Sequence, residues 1–187
     1  TGKTKIVGVI GAPVEHSRSP QMHNAAFAEL GLDYVYVPFH VQPEFLCQAI
    51  EGFKAINVVG INVTLPHKQS VIPFLDAISR EAELIGAVNT LIFKDGKIAG
   101  DNTDAPGFLQ AMRETGLDVP RGASAVVIGA GGAARAIVVA LALAGLGAIV
   151  ITNRTASKAI ALADDLSGKT CLPIEGMGLE DARLSNV

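Results

Sequence analysis

The segment SAVVIGAGGAARA (residues 124–136) leaves few folds open to this chain. The run SAVVIG has the β-branched composition of a buried strand, and the residues after it, AARAIVVALALAG, have the length and composition of a helix. Between them, Gly129-x-Gly131-x-x-Ala134 matches the dinucleotide fingerprint, whose first glycine makes a tight turn and whose second lets the backbone approach a pyrophosphate. The helix N terminus then offers N–H groups and its positive dipole end to the anion. The pattern predicts nucleotide binding, and a purely structural strand-helix turn is the alternative.

The strand after this helix, AIVIT (residues 148–152), indicates which nucleotide is bound. An NAD site usually carries Asp or Glu about 20 residues beyond the glycines, where the carboxylate bonds the ribose hydroxyls. Here the strand is followed by Asn153, Arg154 and Thr155, and Lys158 comes one turn later. A guanidinium group matches phosphate oxygens in a forked geometry, so these residues favour the 2′-phosphate of NADP. The alternative is a solvated helix start at which Thr155 only caps.

Short β-branched runs alternate with longer amphipathic segments along the whole chain, which is typical of strand-helix units and a largely parallel sheet. The predicted strands are 4–10, 33–39, 58–63, the hairpin strands AVNTLIF and KIAG around Asp95-Gly96, SAVVIG, AIVIT and TCLPI. The predicted helices are 20–30 (with Ser19 as its cap), 43–53, a region at 67–85 broken by Pro73, PGFLQAMRETG, 132–145 and 156–166.

A boundary near residues 100–106 divides this pattern into two open α/β domains. Only the second domain opens with a glycine-rich turn, so the two are not repeats of each other. We predict a substrate-binding catalytic domain at residues 1–101 and a Rossmann-like NADP-binding domain at residues 102–187. The second domain contains about three strands and its last segment, GLEDARLSNV, stops within an element, whereas a doubly wound nucleotide fold usually has about six strands. We therefore expect this domain to be incomplete, with its C-terminal part absent.

Composition excludes several classes of protein. With 49% hydrophobic residues, 18% charged residues and a net charge of −3, the chain is expected to be a globular protein with ample core material. No apolar run reaches the roughly 18 residues of a membrane span, and the scattered basic residues argue against a nucleic-acid partner. No leader or transit peptide is recognised, and a cytoplasmic location is expected.

The cysteines and histidines do not suggest a disulfide framework or a metal site. Cys47 and Cys171 are far apart in apolar surroundings and are predicted to be reduced thiols in the core. None of the histidines has the paired carboxylate or cysteine spacing of the usual ligand motifs, so no bound metal is expected; they are His16, His23, His40 and His67.

Polar residues in the first half gather where apolar elements end, which is where open α/β sheets bind ligands. They are Ser17 and Ser19 in HSRSP; Asn62, Thr64 and Lys68 in NVTLPHK; Asn89 and Thr90 in GAVNT; and Asn102, Thr103 and Asp104 in GDNTD. Each group alone is explained by a cap, a turn or a solvated loop. Their convergence beside a dinucleotide site predicts a binding pocket.

The motifs SRSP, NVTLPHK, GAVNT, GDNTD, GAGGAAR and NRTASK, in this order, resemble those of the shikimate dehydrogenase family over essentially the whole chain. Members of this family reduce 3-dehydroshikimate to shikimate with NADPH in aromatic amino-acid biosynthesis. The resemblance implies substrate binding by Ser17, Ser19, Asn62, Thr64, Lys68, Asn89 and Asp104, and a catalytic pair of Lys68 and Asp104. It also implies a cofactor site made of Gly129, Ala130, Gly131, Gly132, Ala133, Asn153, Arg154, Thr155 and Lys158.

Two other readings remain open. One is a quinate/shikimate dehydrogenase with broader substrate or cofactor use, although Arg154 without a neighbouring Asp argues against a preference for NAD. The other is a non-catalytic relative that senses the metabolite, and the retention of both Lys68 and Asp104 counts against it. We expect a monomer or a homodimer that acts on a small molecule.

Overall fold

The computed structural model describes residues 1–181, which fold into two compact units. The first unit consists of Thr1–Glu83 and Ala87–Asn102, and the second consists of Leu84–Gly86 and the residues from Thr103 onward. Each unit is built around its own sheet. The predicted assignment of one domain to substrate and the other to cofactor stays a prediction.

The first unit contains six strands and short connecting helices. The strands are β1 (Lys5–Gly11), β2 (Tyr34–His40), β3 (Gly60–Val63), β4 (Ala77–Ile78), β5 (Thr90–Lys94) and β6 (Lys97–Asp101). The α-helices are α1 (Ser19–Glu29), α2 (Leu46–Ala55), α3 (His67–Ser70) and α4 (Arg80–Ile85), and two 3-10 turns lie at Pro43–Phe45 and Ile72–Phe74.

These strands form one mixed sheet in the order β2-β1-β3-β5-β6-β4. β1 is parallel to β2 and to β3, whereas β5 is antiparallel to both β3 and β6. The C-terminal ends of β1, β3 and β6 and the N-terminal end of β5 therefore meet at one edge of the sheet. We call this the ligand edge, because in open sheets ligands bind beyond the strand ends.

Apolar side chains at helical spacing attach α2 to the sheet. Leu46, Ile50 and Phe53 recur at intervals of four and three residues, so they share one face of the helix, and each is buried. They pack in a core with residues such as Ile10 and Ile61 from the central strands. Burial of three large apolar side chains, at roughly 1.5–3 kcal/mol each, is enough to position a ten-residue helix that is too short to be stable alone.

The predicted hairpin is confirmed. β5 and β6 pair with Lys94 opposite Lys97, which leaves Asp95 and Gly96 as the two turn residues. Both have positive φ angles, 50° and 71°, as a tight two-residue turn requires.

The second unit has a parallel three-stranded sheet in the order β7-β8-β9. Its elements are α5 (Asp104–Glu114), β7 (Ser124–Ile128), α6 (Gly132–Leu143), β8 (Ala148–Asn153), α7 (Ala156–Thr170) and β9 (Ile174–Gly178). α7 lies very close to β9, since a Cβ added at Gly176 would meet the backbone of Ala159 and Ile160. The prediction of an α/β fold with parallel-dominated sheets is confirmed.

Two predicted elements are wrong. The region 67–85 is not one interrupted helix, because β4 lies inside it and pairs with β6. TCLPI is not a strand, because α7 continues to Thr170 and ends at Cys171 in a left-handed conformation, and β9 begins only at Ile174. Part of the segment GLEDARLSNV, residues 182–187, lies outside the described residues.

Two finer predictions are also wrong. Ser19 is the first residue of α1, not its cap; Arg18 occupies the cap position. Both cysteines are free, as predicted, but both are exposed, not in the core. Cys47 directly follows Leu46 on α2, and adjacent helical residues point about 100° apart, so burial of Leu46 does not extend to it.

Candidate active site

The ligand edge brings together most of the polar groups that the sequence singled out in the first unit. The register places Asn62 of β3 opposite Thr90 of β5, and Thr90 opposite Asp101 of β6. Asn89 and Asn102 immediately adjoin these strand ends. Residues from separate motifs therefore become lateral neighbours across three strands.

Tyr36 of β2, which the sequence did not single out, is hydrogen-bonded to this edge. The hydroxyl of Tyr36 donates a hydrogen bond to Oδ1 of Asn62 over 2.7 Å. Its ring is stacked on His23, with centroids 4.4 Å apart. Burial raises the pKa of Tyr36 to about 12, outweighing a hydrogen bond with the Ser19 side chain that lowers it. The phenol therefore remains a neutral donor and links α1 to β3.

The side chain of Asn24, in α1, is hydrogen-bonded to the backbone of Tyr36. Its side-chain Nδ2 donates to the carbonyl of Tyr36 over 3.0 Å, and its Oδ1 accepts from the Tyr36 N–H over 2.8 Å. One amide group thus satisfies both backbone groups of Tyr36 that face outward from the edge strand β2. These two bonds hold the backbone of Tyr36 against α1 and do not involve the tyrosine side chain.

The loop after β1 carries the two predicted carboxylate-binding serines. Ser17 and Ser19 are both half-buried, and the Ser19 N–H donates to Oγ of Ser17 over 3.3 Å. The neighbouring strand end approaches closely, because a Cβ added at Gly11 would lie 2.5 Å from Cγ2 of Thr64. Glycine at position 11 therefore lets the β1 loop and Thr64 lie side by side.

Lys68 is the second residue of α3, and its backbone is hydrogen-bonded to the segment that precedes β5. Its carbonyl accepts from the Val88 N–H over 2.7 Å, which places α3 next to the residue preceding Asn89. The preceding residue, His67, is the first residue of α3 and is fully buried, and its Nε2 donates to the carbonyl of Val41 over 2.7 Å. The Lys68 side chain is half-buried.

Asp104 is the first residue of α5 and belongs to the second unit. A carboxylate at a helix N terminus is favourably placed against the helix dipole. Asn102, the last residue of the first unit, is 2% exposed and its Nδ2 donates to the carbonyl of Ala87 over 2.8 Å. The predicted pair of Lys68 with Asp104 stays a prediction.

A groove of about 310 Å³ opens beside the ligand edge. Its walls are apolar and come from α1 and from strands β1, β3 and β5; they include Val7, Phe27, Ile61 and Ile92. Polar groups line it too, at His23, Tyr36, Asn62 and Thr90. Among the residues that line this groove, Asn62 is the only one predicted to bind substrate, so the groove is not by itself the predicted substrate site.

The glycine-rich turn of the second unit has the geometry that its sequence predicts. Gly129 follows β7 with φ of +116°, a conformation that side-chain-bearing residues rarely adopt. Gly131 caps α6 in an extended conformation, and among residues 1–181 no atom lies within 4 Å of the point where its Cβ would be. No described side chain caps the N terminus of α6. The backbone therefore leaves space and N–H donors for an anion, and the turn fits the pyrophosphate of a dinucleotide.

The positively charged residues that follow β8 are exposed to solvent. Arg154, Thr155 and Lys158 are exposed, and the Asn153 side chain donates to the carbonyl of Thr155 over 3.0 Å, which closes the turn. Thr155 is at the cap position of α7 but makes no cap bond with its side chain among the described residues. The alternative in which Thr155 serves only as a cap therefore gains no support from its contacts.

Arg135 has a structural role that the sequence analysis did not identify. Its guanidinium donates to the carbonyl of Ile85 over 2.8 Å and pairs with Asp165 over 2.7 Å. Lys169 also contacts Asp165, over 3.0 Å. Burial raises the pKa of Asp165, but hydrogen bonds and charge from Lys169 and Arg135 outweigh it, so the pKa lies below its usual value. These contacts join α6 and α7.

Residues 1–181 contain no cluster of three or more His, Cys, Asp or Glu side chains that could hold a metal ion. None of their helices has the length and apolar character needed to cross a bilayer.

Comparison with known proteins agrees with this geometry in both units. Residues 9–91 match the family model of the shikimate dehydrogenase substrate binding domain, and residues 112–181 match that of shikimate/quinate 5-dehydrogenase. A shikimate dehydrogenase (NADP⁺) from Methanopyrus kandleri is 53% identical over 178 residues, which are 95% of this chain and 61% of the relative.

Solved structures show the same similarity. A shikimate 5-dehydrogenase from Listeria monocytogenes, in complex with shikimate and NAD, is 42% identical, with a TM-score of 0.88, over 97% of this chain and 63% of that one. A shikimate dehydrogenase in complex with NADP⁺ is 46% identical, also with a TM-score of 0.88, over 98% of this chain and 64% of that one. The chain thus spans just over three fifths of the length of these proteins, and it belongs to the shikimate dehydrogenase family.

Proposed function

We propose that the full-length protein is an NADP-dependent shikimate dehydrogenase, which reversibly reduces 3-dehydroshikimate to shikimate. The observation that carries the proposal is the ligand edge, where side chains from separate motifs form one hydrogen-bonded set beside Lys68. The similarity to shikimate dehydrogenases over 95% of the chain supports the choice of substrate.

The residue types suit a small polyhydroxylated carboxylate. Ser17 and Ser19 bind its carboxylate, while Asn62, Thr64 and Asn89 bond its ring hydroxyls. Side chains that are already hydrogen-bonded to each other lose little freedom on binding. A site built to bond hydroxyls also rejects analogues that lack them, because its polar groups are then left unpaired.

Lys68 and Asp104 carry the proton chemistry in this proposal. In its ammonium form, Lys68 stabilises the charge that develops on the ketone oxygen and donates a proton to it. In the reverse direction the neutral amine accepts the proton. Asp104 bonds both the lysine and a substrate hydroxyl, and so holds the two reacting groups together.

The second unit holds the cofactor in this proposal. Bound NADPH supplies the hydride to the ketone carbon. The turn Gly129, Ala130, Gly131, Gly132 and Ala133 binds the pyrophosphate, and Asn153, Arg154, Thr155 and Lys158 bind the adenosine phosphate. The structure of a relative in complex with NADP⁺ supports this choice, although another relative is in complex with NAD.

A quinate/shikimate dehydrogenase is the second candidate, because one of the two matching family models includes quinate. A metabolite sensor remains the third. The cytoplasmic location and the monomeric or dimeric state also stay predictions.

The test is turnover by the full-length protein, followed through NADPH absorbance with shikimate or quinate and NADP or NAD. Removal of a general acid-base group lowers rates by about 10²- to 10⁴-fold, so Lys68→Ala is expected to lower kcat by this amount with a smaller change in KM. Undiminished turnover in Lys68→Ala would refute the role of Lys68, and faster turnover of quinate would favour the second candidate.

Lys97→Ala is a matched control for this experiment. Lys97 begins β6 and Asp101 ends it, so this lysine lies at the opposite end of the strand from the ligand edge. It is exposed, and its removal deletes the same charge from the same unit. We expect Lys97→Ala to retain wild-type kcat and KM.

A further inference from the structure

His67 is a buried polar residue to which the proposed function gives no role. It directly precedes Lys68 and begins α3, the single helical turn that carries this lysine. Its side chain is 0% exposed, whereas histidine is usually only partly buried. A polar ring in such a place costs free energy unless it is hydrogen-bonded, so its contacts indicate what it does.

A hydrogen bond from the ring fixes its tautomer. Nε2 of His67 lies 2.7 Å from the carbonyl oxygen of Val41, and a carbonyl oxygen can only accept. Nε2 therefore carries a proton and donates it. Nδ1 is buried as well, and no group within residues 1–181 is hydrogen-bonded to it. The ring is thus placed to hold a backbone carbonyl inside the protein.

This bond attaches α3 to the ends of β1 and β2. Val41 follows β2, and its own N–H donates to the carbonyl of Gly11, the last residue of β1, over 3.1 Å. On the other side of the turn, the carbonyl of Lys68 accepts from the Val88 N–H over 2.7 Å. The turn is therefore held from two sides, by the His67 side chain and by the Lys68 backbone.

A turn this short depends on such attachments. α3 has four residues, Ser70 being the last, and an isolated helix of that length is not stable in water. Backbone bonds at both of its ends also involve His67, whose N–H donates to the carbonyl of Thr64 over 2.9 Å and whose carbonyl accepts from the Val71 N–H over 3.0 Å. The position of the Lys68 backbone is thus tied to the residue before it.

We propose that His67 is a positioning residue for Lys68. Through the bond from Nε2 to the Val41 carbonyl it holds α3 where the lysine amine acts on the ligand, and it does not touch the ligand itself. The proposal rests on the proposed function, in which Lys68 is the acid-base group. A displacement of about 1 Å can lower a rate about 10²-fold, so loss of this bond should act mainly on kcat.

The test compares His67→Met with His67→Gln in the full-length enzyme. The two new side chains have the same length, but only glutamine carries an N–H that can donate to the Val41 carbonyl. Per folded enzyme, His67→Met is expected to lower kcat for shikimate oxidation about 10- to 100-fold, with KM for shikimate and NADP changed less than about threefold. His67→Gln should recover most of the lost kcat.

Gln69→Met is the matched control for His67→Met. Gln69 follows Lys68 in the same turn and is exposed, so this substitution removes a polar group beside the lysine and leaves the bond to Val41 in place. We expect Gln69→Met to retain wild-type kcat and KM.

A purely structural role of His67 predicts something different. His67→Met would then lower the melting temperature, and kcat per folded enzyme would stay as in wild type. That result, or a kcat in His67→Gln as low as in His67→Met, would overturn the proposal.

A measurement independent of turnover separates this proposal from the proposed function. Amide hydrogen exchange at Val88, whose N–H bonds the Lys68 carbonyl, reports whether the turn is held in place. It is expected to be about tenfold faster in His67→Met than in wild type and to return toward wild type in His67→Gln. Exchange at Phe93, whose N–H bonds the Val59 carbonyl, should not change.

The two proposals can therefore fail separately. If the wild-type enzyme does not oxidise shikimate, the proposed function fails, and exchange at Val88 still decides whether His67 holds α3. Exchange at Val88 that is unaffected by His67→Met would refute the positioning role.

Discussion

The two units offer different parts of the polypeptide to their proposed ligands. In the first unit the ligand edge consists of side chains that bond each other across strands, as Tyr36, Asn62 and Thr90 do. In the second unit the candidate site is mainly backbone: a glycine with positive φ, an open position at Gly131 and the N terminus of α6.

This difference follows from the two kinds of ligand. A pyrophosphate has charge and no distinctive pattern of hydroxyls, so N–H groups and a helix dipole are sufficient to bind it. A polyhydroxylated ring must be distinguished from similar rings, which requires donors and acceptors in fixed orientations. Ligand binding by the first unit should therefore be sensitive to substitutions that remove a polar side-chain atom. Ligand binding by the second unit should be sensitive to substitutions that add a carbon atom to a glycine.

The largest change in cofactor affinity is expected from Gly131→Ala. Its φ of −96° is ordinary for alanine, and in the described structure the added Cβ meets no atom within 4 Å, so the free energy of unfolding should hardly change. The Cβ would occupy space proposed for the pyrophosphate, at a cost of about 1–3 kcal/mol, so affinity for NADP should fall up to about a hundredfold. Calorimetric titration measures this.

Gly168→Ala is the control for that substitution. Gly168 lies in α7 with equally open surroundings and has no proposed ligand contact. It should bind NADP as wild type does. Wild-type affinity in Gly131→Ala would show that the turn does not approach the pyrophosphate.

An intermediate effect is expected from Tyr36→Phe at high pH. The folded-state pKa of Tyr36 is about 12, above its ordinary value of 10.0, so the unfolded chain loses this proton at a lower pH than the folded chain. The associated stability is present below pH 10 and is lost as the pH rises toward 12. At pH 11, one unit above the ordinary pKa, the free energy of unfolding should be lower by about 1.4 kcal/mol.

Urea denaturation at pH 9 and pH 11 tests this expectation. Wild type should lose this increment of the free energy of unfolding between the two pH values, and Tyr36→Phe should not. Tyr34→Phe controls for tyrosine removal, because Tyr34 begins the same strand. Equal losses in wild type and Tyr36→Phe would contradict the buried, neutral phenol.

The smallest effect is expected from Arg154→Gln. Arg154 is exposed, so its proposed contact with a 2′-phosphate would be screened by water and contribute about 1 kcal/mol. KM for NADP should rise about fivefold, and KM for NAD should stay unchanged. Steady-state kinetics with both cofactors measure the two values.

Arg121→Gln is the matched control for Arg154→Gln. Arg121 is also exposed, but it precedes β7, whose far end leads to Gly129. It should leave both KM values unchanged. An equal rise of KM for NAD and NADP in Arg154→Gln would remove the case for 2′-phosphate recognition.

Local patterns predicted the elements that depend on local chemistry. The Asp95-Gly96 turn and the strand-glycine-helix unit both require particular backbone angles, and few residue types allow them. β4 was missed because a two-residue strand has no periodicity of its own and exists only through its pairing with β6. TCLPI was misplaced because pairing with β8 sets the start of β9, at Ile174 opposite Ile149.

Part of the candidate site could also be predicted from the sequence. Residues such as Lys68 and Asn62 were visible as polar groups at the ends of apolar runs. Tyr36 was not selected, and Thr90 was noted in GAVNT but given no site role, because a tyrosine or threonine in a β-rich segment is ordinary strand composition. Their importance comes from cross-strand neighbours distant in sequence, such as Asn62, 26 residues beyond Tyr36.

The sequence by itself determined the α/β class, the position of the glycine-rich turn and the family, because each depends on residue types at fixed local spacing. Only the tertiary structure decided which polar groups meet. Strand order and register made Thr90 the neighbour of Asn62, and packing of α1 on β2 carried Tyr36 to the same point. The physical reason is that a hydrogen bond acts over about 3 Å, and only folding brings groups from distant segments within that distance.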